Sequence, residues 1–292
     1  MNKFLFISIS CTSLLACGGT EADMSDDASL QLEMSTLPDL GADFVYEGWL
    51  IVDDSPVSTG SFVIDGDGAP TPASFTASAE DAANATLFVL TIEPANDPDP
   101  APSSTHILAG AFDGEVATLS IDHPAALATD FTDATGSFIL ATPTTGDSSL
   151  PAQGIWFLAP GDTPSSSLQL PDLPAGWVYE GWVAGESGAT STGRFTSASG
   201  MDSDGAGPSK GPSGDGPAFP GADFINPAMV LNDGGTAAVI SVEPDPDTSP
   251  DPFLMKPLVL SPIGSEVAPV MQAMDNNASN TNPSARITLR FE

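Results

Sequence analysis

Leu37-Pro-Asp-Leu-Gly-Ala-Asp-Phe-Val-Tyr-Glu-Gly-Trp49 returns as Leu170-Pro-Asp-Leu-Pro-Ala-Gly-Trp-Val-Tyr-Glu-Gly-Trp182, 133 positions further along the chain. The spacing holds through Ser58-Thr-Gly-Ser-Phe62 and Ser191-Thr-Gly-Arg-Phe195, then widens to 150 where Ile92-Glu-Pro94 meets Val242-Glu-Pro244. An insertion therefore lies inside the second copy. Each copy runs to about 130 residues, enough to close a hydrophobic core, so the chain reads as a tandem of similar domains and not as a short-period solenoid. The expected domains are 30–165 and 166–292, dividing near Gly161 to Ser167 into two independently folding units. The insertion, about 199–220, is dense in Gly, Pro, Ser and Asp. It reads as a mobile surface loop, and removing Met201 to Gly216 is expected to change stability little.

Strand signals recur along the chain. Leu87-Phe-Val-Leu-Thr-Ile92, Thr105-His-Ile-Leu-Ala109, Ser137-Phe-Ile-Leu-Ala141 and Gly154-Ile-Trp-Phe-Leu158 are short runs rich in β-branched and aromatic residues, bounded by turn formers. Arg286-Ile-Thr-Leu-Arg-Phe291 alternates polar with apolar, as does Leu168-Gln-Leu170, so one face of each meets a core. Helical signals are confined to Ser78–Ala85 and Pro124–Asp130, because 28 Gly and 28 Pro break any longer period. The expected class is all-β, with two tandem immunoglobulin-like β-sandwich domains.

The N-terminus reads as an address. Met1-Asn2-Lys3 carries positive charge, Phe4 to Leu15 is a short apolar stretch, and Leu14-Leu-Ala-Cys17 sets a small residue before a cysteine. This is the pattern of a signal peptide, residues 1–16, and not of a membrane span. It resembles a bacterial lipoprotein signal, which implies cleavage before Cys17 and acylation of that residue; an ordinary secretory signal with an incidental Cys17 is the alternative. Cys11 leaves with the signal, so the mature chain keeps no thiol for disulfides or thiolate chemistry. No later segment has the roughly 18 consecutive apolar residues of a helical span, which leaves the acyl chains as the expected membrane attachment. Residues 17–29 read as a flexible acidic tether. Gly18 after the cysteine favours the outer over the inner membrane, by resemblance to diderm lipoproteins.

Charge narrows the partners. Against 39 Asp and Glu there are 6 Lys and Arg, and between Lys3 and Arg194 there is no basic residue at all, while residues 17–193 hold 27 acidic ones. Repulsion makes nucleic acid and anionic lipid poor partners. A solvated acidic surface needs no metal, since charges about 10 Å apart in water repel by only about 0.4 kcal/mol before screening. The turns Glu93-Pro-Ala-Asn-Asp97-Pro-Asp99 and Glu243-Pro-Asp245-Pro-Asp247, with Asp251 nearby, nevertheless recur at matching places and offer oxygen ligands for calcium. Solvated turns are the default reading and weak calcium binding the alternative. Asp65-Gly-Asp67-Gly68 and Asp202-Ser-Asp204-Gly205 lack the first carboxylate and the bidentate glutamate of an EF-hand.

Two readings attach to the repeated Tyr-Glu-Gly-Trp. In a regular strand Glu47 and Trp49 share one face and Tyr46 the other, as do Glu180, Trp182 and Tyr179 in the second copy. The structural reading is a half-covered carboxylate beside a core aromatic. The functional one is an aromatic platform with an acceptor, Tyr46, Glu47 and Trp49 or Tyr179, Glu180 and Trp182, for a sugar or peptide. Retention in both copies favours the fold. Enzyme signals are thin: Gly207-Pro-Ser-Lys-Gly211 lies in the insertion without the strand and helix of a nucleophile elbow, and His106 and His123 have no metal-motif spacing. A working carboxylate pair is the remaining enzymatic alternative.

Tyr46-Glu-Gly-Trp-Leu50, Ser58-Thr-Gly60 with Phe62, Val89-Leu-Thr-Ile-Glu-Pro94 and Ile107-Leu-Ala-Gly110 together resemble the extracytoplasmic domain of anti-sigma-K factors. The second copy carries the same landmarks at Tyr179–Trp182, Ser191–Gly193 and Ile240–Pro244. The resemblance implies a β-sandwich outside the membrane. It also implies a transmembrane helix and a cytoplasmic sigma-binding segment, neither of which is read in this chain, so no direct contact with a sigma factor is expected. The expected function is a non-enzymatic, lipid-anchored envelope protein that binds or senses, with another envelope protein or a surface glycan as partner. A calcium-dependent adhesive or structural module is the alternative.

Overall fold

The computed structural model describes residues 26–35, 37–146 and 150–291. The signal peptide, Cys17 and the first part of the tether lie outside the described residues. The first copy supplies β1 (Asp27–Ser35), β2 (Phe44–Val52), β3 (Ser55–Ile64), β4 (Pro70–Thr71), β5 (Ser74–Ser78), β6 (Ala85–Pro94), β7 (His106–Asp113) and β8 (Val116–Ser120). The junction holds β9 (Ser137–Leu140), β10 (Gly154–Trp156), β11 (Leu158–Ala159) and β12 (Ser165–Ser166). The second copy adds β13 (Trp177–Gly185), β14 (Gly188–Phe195), β15 (Gly221–Asp223), β16 (Ala237–Pro244), β17 (Leu258–Leu260), β18 (Gln272–Ala273), β19 (Asp275–Asn276) and β20 (Ser284–Phe291). The strands expected from the sequence are largely found, and of the two weak helices one forms: α1 (Ala79–Asn84) is capped by Ser78, whose hydroxyl accepts from the Asp81 amide. Pro124–Asp130 forms turns instead, with Ala128 at φ 59°. The tether ends early: Ala28, Leu30 and Leu32 alternate inward, so the strand begins at Asp27.

All the sheets are antiparallel, and the repeat is visible in their order. The run β3-β2-β6-β7 is matched by β14-β13-β16-β17. Strands β6 and β16 are buried on both faces over most of their length, as central strands with continuous apolar runs should be. In the first copy one nine-stranded sheet, β4-β3-β2-β6-β7-β8-β20-β1-β5, curls until its ends approach, with the rings of Phe62 and Phe75 5.9 Å apart. That single curled sheet stands where the immunoglobulin-like pair of facing sheets was expected. The second copy is divided into a five-stranded sheet, β14-β13-β16-β17-β19, and a four-stranded one, β15-β10-β9-β18.

The domain division expected at 165/166 is corrected by the pairing. The last strand of the chain, β20, lies between β8 and β1 in the first sheet, with Leu30 opposite Leu289 and Leu32 opposite Ile287. Strand β9, from the junction that precedes residue 165, lies in the second copy's four-stranded sheet between β10 and β18, Phe138 facing Gln272. On its other side the Thr135 amide donates to Gln169 and the Ser137 amide to Ser167, in the stretch that precedes Pro171 as β1 precedes Pro38. The two copies have exchanged their closing strands. Most of their buried apolar residues form one cluster drawn from both copies, which a hydrophobic pattern within either half could not specify, and Ile139, Trp156, Leu158 and Ala206 form a smaller one beside it.

The insertion is also corrected. Ala206 is buried and packs with Ile139, Trp156 and Leu158, while a Cβ on Gly216 would stand 2.4 Å from the Trp156 ring. The Gly211 amide donates to Thr144 Oγ1 at 2.8 Å and the Ser213 amide to its carbonyl at 2.7 Å. Its small residues serve close packing, and the segment covers an indole that its removal would expose.

Because each half lacks its closing strand, residues 26–165 and 166–292 expressed separately should show no cooperative thermal transition by circular dichroism, and mixing or co-expressing them should restore one. Two halves that each melt cooperatively, at the temperature of the intact chain, would contradict the exchange.

Candidate functional site

The repeated motif residues form the same hydrogen-bonded lock in both copies. Tyr46 is buried, stacks on Phe62 at 5.4 Å and donates to the Pro38 carbonyl at 3.0 Å; Tyr179 stacks on Phe195 at 5.7 Å and donates to Pro171 at 2.6 Å. Each tyrosine thereby fastens the Leu-Pro-Asp segment eight residues upstream. Burial raises both phenols far above the ordinary tyrosine range, with Asp39 and Asp172 adding to it. The Ser-Thr-Gly element is a β-bulge: Gly48 pairs with Gly60 and Trp49 with Ser58, leaving Thr59 as the extra residue, and Thr192 occupies the same place between Ser191 and Gly193. Ser58 donates to Glu47 and accepts from the Gly60 amide; Ser191 donates to Glu180 at 2.5 Å and accepts from Gly193 at 3.0 Å. Gly60 at φ 105° and Gly193 at φ 113° hold backbone that a side chain would strain.

On the neighbouring strand a second relay recurs. Trp49 Nε1 donates to Thr91 Oγ1 at 2.9 Å, and Thr91 donates to Glu93, whose carboxylate accepts the Ser103 amide at 2.8 Å. Trp182 Nε1 donates to Ser241 at 2.7 Å, and Ser241 donates to Glu243, which accepts the Phe253 amide at 2.9 Å. Each glutamate thus clamps the chain ten residues on. Burial lifts the Glu93 carboxyl above its usual range and pushes Glu243 up to about 7.

These positions correct two expectations. Trp49, Tyr46, Trp182 and Tyr179 are at most 3% exposed, so no ring surface is presented to a sugar or peptide; Glu47 is half-buried and Glu180 buried, both engaged by serine. The calcium ligand sets come apart likewise. Glu93 and Glu243 are consumed inside the sheet, while Asp97, Asp99, Asp245, Asp247 and Asp251 are exposed. Asp97 accepts from the Asp99 amide, Asp99 from Ala101 and Asp247 from Ser249, which are ordinary Asx turns. Among the described residues no three His, Cys, Asp or Glu side chains gather as a metal-holding group. His106 and His123 both bond the Ala125 backbone.

The copies differ where the insertion meets β14. Arg194, replacing Ser61 of the first copy, lies 3.7 Å from Glu180 and 3.5 Å from Asp245, and donates to the Pro244 carbonyl at 2.7 Å. Beside it a shallow cleft of about 380 Å³ is lined by Arg194, Phe195, Met201, Asp202 and Asp245. Asp202 is buried, accepts the Gly221 amide at 2.8 Å, and has Asp204 within hydrogen-bond reach. Burial, reinforced by Asp204, pushes its carboxyl up to about 7. Asp223, fully buried, accepts from Thr144 and from Trp156 Nε1 at 2.9 Å, and burial raises it too. Asp223 escaped the sequence reading, where its signal was a carboxylate within the apolar run Gly221-Ala-Asp-Phe-Ile225, and Asp202 was weighed there only as part of a calcium loop. A larger cleft, about 580 Å³, lies elsewhere, between the β13–β14 hairpin and the loop around Val230.

The fold and its paired locks define an all-β domain built twice. Residues 17–106 match the family model described as anti-sigma-K factor rskA, C-terminal, a stretch that takes in the first Tyr-Glu-Gly-Trp, the bulge and Glu93. The chain thus resembles the extracytoplasmic domain of those factors. No curated protein matches it. Among solved structures, an alignment with a two-domain chain of Extended-Synaptotagmin 2 covers 98% of this chain and 99% of that one at 9% identity, but its TM-score of 0.17 is too low to mark a shared fold.

Folding raises the Glu243 carboxyl from 4.5 to about 7, so its favourable contribution is complete below about pH 4.5 and is lost as pH climbs to about 7. The loss is on the order of 3 kcal/mol. Tm should therefore fall between pH 5 and pH 8, and Glu243→Gln should flatten much of that fall. An equal fall in the variant would assign the titration to other groups.

Proposed function

We propose that this chain is a non-enzymatic, lipid-anchored envelope protein whose anti-sigma-K-like β domains bind or sense a partner outside the cytoplasm. The observation that carries the reading is a coincidence of position: the match to the anti-sigma-K C-terminal domain begins at residue 17, the cysteine at which the lipoprotein signal would be cut. No described helix is long and apolar enough to cross a membrane, so the acyl chains are assigned the anchoring. The partner assigned is another envelope protein or a surface glycan, and Gly18 favours the outer membrane. The repeated motif residues are occupied in holding the fold, and the Asp202 and Asp204 carboxyls crowd together over Gly193, an arrangement that leaves no place for a sugar between them as a glycosidase pair requires. Both points support a binding role over a hydrolytic one.

Labelling cells with a fatty acid tests the anchor. The wild-type protein should take up label and partition into detergent, and Cys17→Ser should lose both; a wild-type chain without label would remove the anchored reading.

A further inference from the structure

Asp202 sits at the joint between the insertion and β14. Its Oδ2 accepts the Gly221 amide at 2.8 Å, whereas Oδ1 is buried and meets no donor. The residue is 8% exposed, so water does not serve that oxygen. An ionised carboxylate buried this way is costly, while a carboxylic acid in the same place has a hydrogen to give. The acceptor is at hand: Asp204 stands within hydrogen-bond reach. Both carboxyls crowd over Gly193, where a Cβ would lie 2.4 Å from Asp202 Cγ and 2.7 Å from Asp204 Oδ1.

The surrounding charges do not favour ionisation. Glu180 approaches from β13, and Asp245 and Asp247 from the turn after β16, with Glu243 at the end of that strand. Arg194 from β14 is already shared among Glu180, Asp245 and the Pro244 carbonyl. Within the insertion Lys210 bears on Asp204 but is paired with Asp215. The segment beyond Asp202 is held down by Gly211 and Ser213 on Thr144 and by the Asp223 amide on Ala206, and it covers Trp156.

We infer that the insertion is a proton-operated clasp: it is closed over Trp156 when Asp202 carries a proton donated to Asp204, and it loosens when that proton is lost, uncovering an apolar patch of Trp156, Ile139 and Leu158. The clasp does not depend on the anchoring reading. Its sign follows from the raised carboxyl: closure is firm near the ordinary aspartate range, weakens as pH rises to about 7, and changes no further above that. A single linked proton makes opening grow about tenfold per pH unit within that window.

Hydrogen exchange on the full chain, corrected for intrinsic rates, reads this directly. Amide protection over residues 205–223 should fall about a hundredfold from pH 5 to pH 7.5 in the wild type. Asp202→Asn keeps the acceptor for Gly221 and gives Asp204 a permanent donor, so its insertion should stay protected throughout. Asp204→Asn, which offers an amide donor to an ionised Asp202, should raise protection at pH 7.5, and Glu243→Gln should leave the insertion's profile in place while altering global stability. Protection that is flat with pH in the wild type, or a wild-type pH dependence surviving in Asp202→Asn, overturns the clasp; should that variant fail to fold, an unchanged profile in Asp204→Asn does so.

Discussion

The pairing of β20 with β1 is the constraint on which the rest depends, because Ser284 must find Ser35 across 249 residues before the first copy is closed. Closing a loop of that length costs about 5 kcal/mol in chain entropy. The ladder joins eight residue pairs, and net hydrogen-bond gains of about 1 kcal/mol each only balance that cost and the ordering of the strands. The surplus comes from the side chains. Leu30, Leu32, Ile287 and Leu289 are all buried, and each such residue contributes about 1.5–3 kcal/mol. The strand that closes the first sheet is thus held chiefly by its inward face, which explains its faultless polar-apolar alternation. The reciprocal placement of β9 in the second copy's sheet ties the chain of each copy into the other.

An acidic chain with 6 basic residues can form few salt bridges, and the structure turns instead to hydroxyls and backbone amides. Glu47 and Glu180 are stapled by serine, and Glu93 and Glu243 by a hydroxyl and an amide ten residues on. These contacts serve Glu93 and Glu243 without a cation at hydrogen-bond distance, while Glu180 also has Arg194 3.7 Å away, but they do not remove the desolvation cost, which is why the buried acids are shifted upward and not downward. The exposed acids are left to water.

Much of this was legible in the sequence, because the features concerned are local. Strands announced themselves by alternation, and the recurrence of Tyr-Glu-Gly-Trp, Ser-Thr-Gly and Glu-Pro marked positions where a bulge, a glycine φ and two carboxylate clamps are all required at once. The exchange of β9 and β20 was not legible, since alternation fixes which face of a strand is buried and not which distant strand lies beside it. Glu93 and Glu243 were misread as loop ligands because a carboxylate preceding proline looks like the start of a turn; only the fold shows that the strand continues through it. The insertion misled through composition. Gly and Ser lower the apolar count of a segment, yet the absence of side chains is what lets Gly216 lie against the Trp156 ring.

The two bulge glycines show how duplicated parts came to differ. Over Gly60 the nearest side chain is the ring of Phe75, 3.4 Å from where a Cβ would be, so the first copy is plugged by an apolar group whose packing is indifferent to pH. Over Gly193 the same place is filled by Asp202 and Asp204, carried in by the insertion. One backbone device is therefore closed by dispersion and burial in the first copy and by a pair of carboxyls in the second. Beside the second pair, Glu180 is buried where Glu47 is only half so, and Arg194 has taken the position of Ser61. A guanidinium there offsets one carboxylate, but Asp245 draws on it as well, so the second copy gathers more acid than its single nearby arginine can balance. The shared lock supplies the fold in both copies. The charge introduced around it makes the bulge of the second copy, and not that of the first, the one whose packing answers to protons.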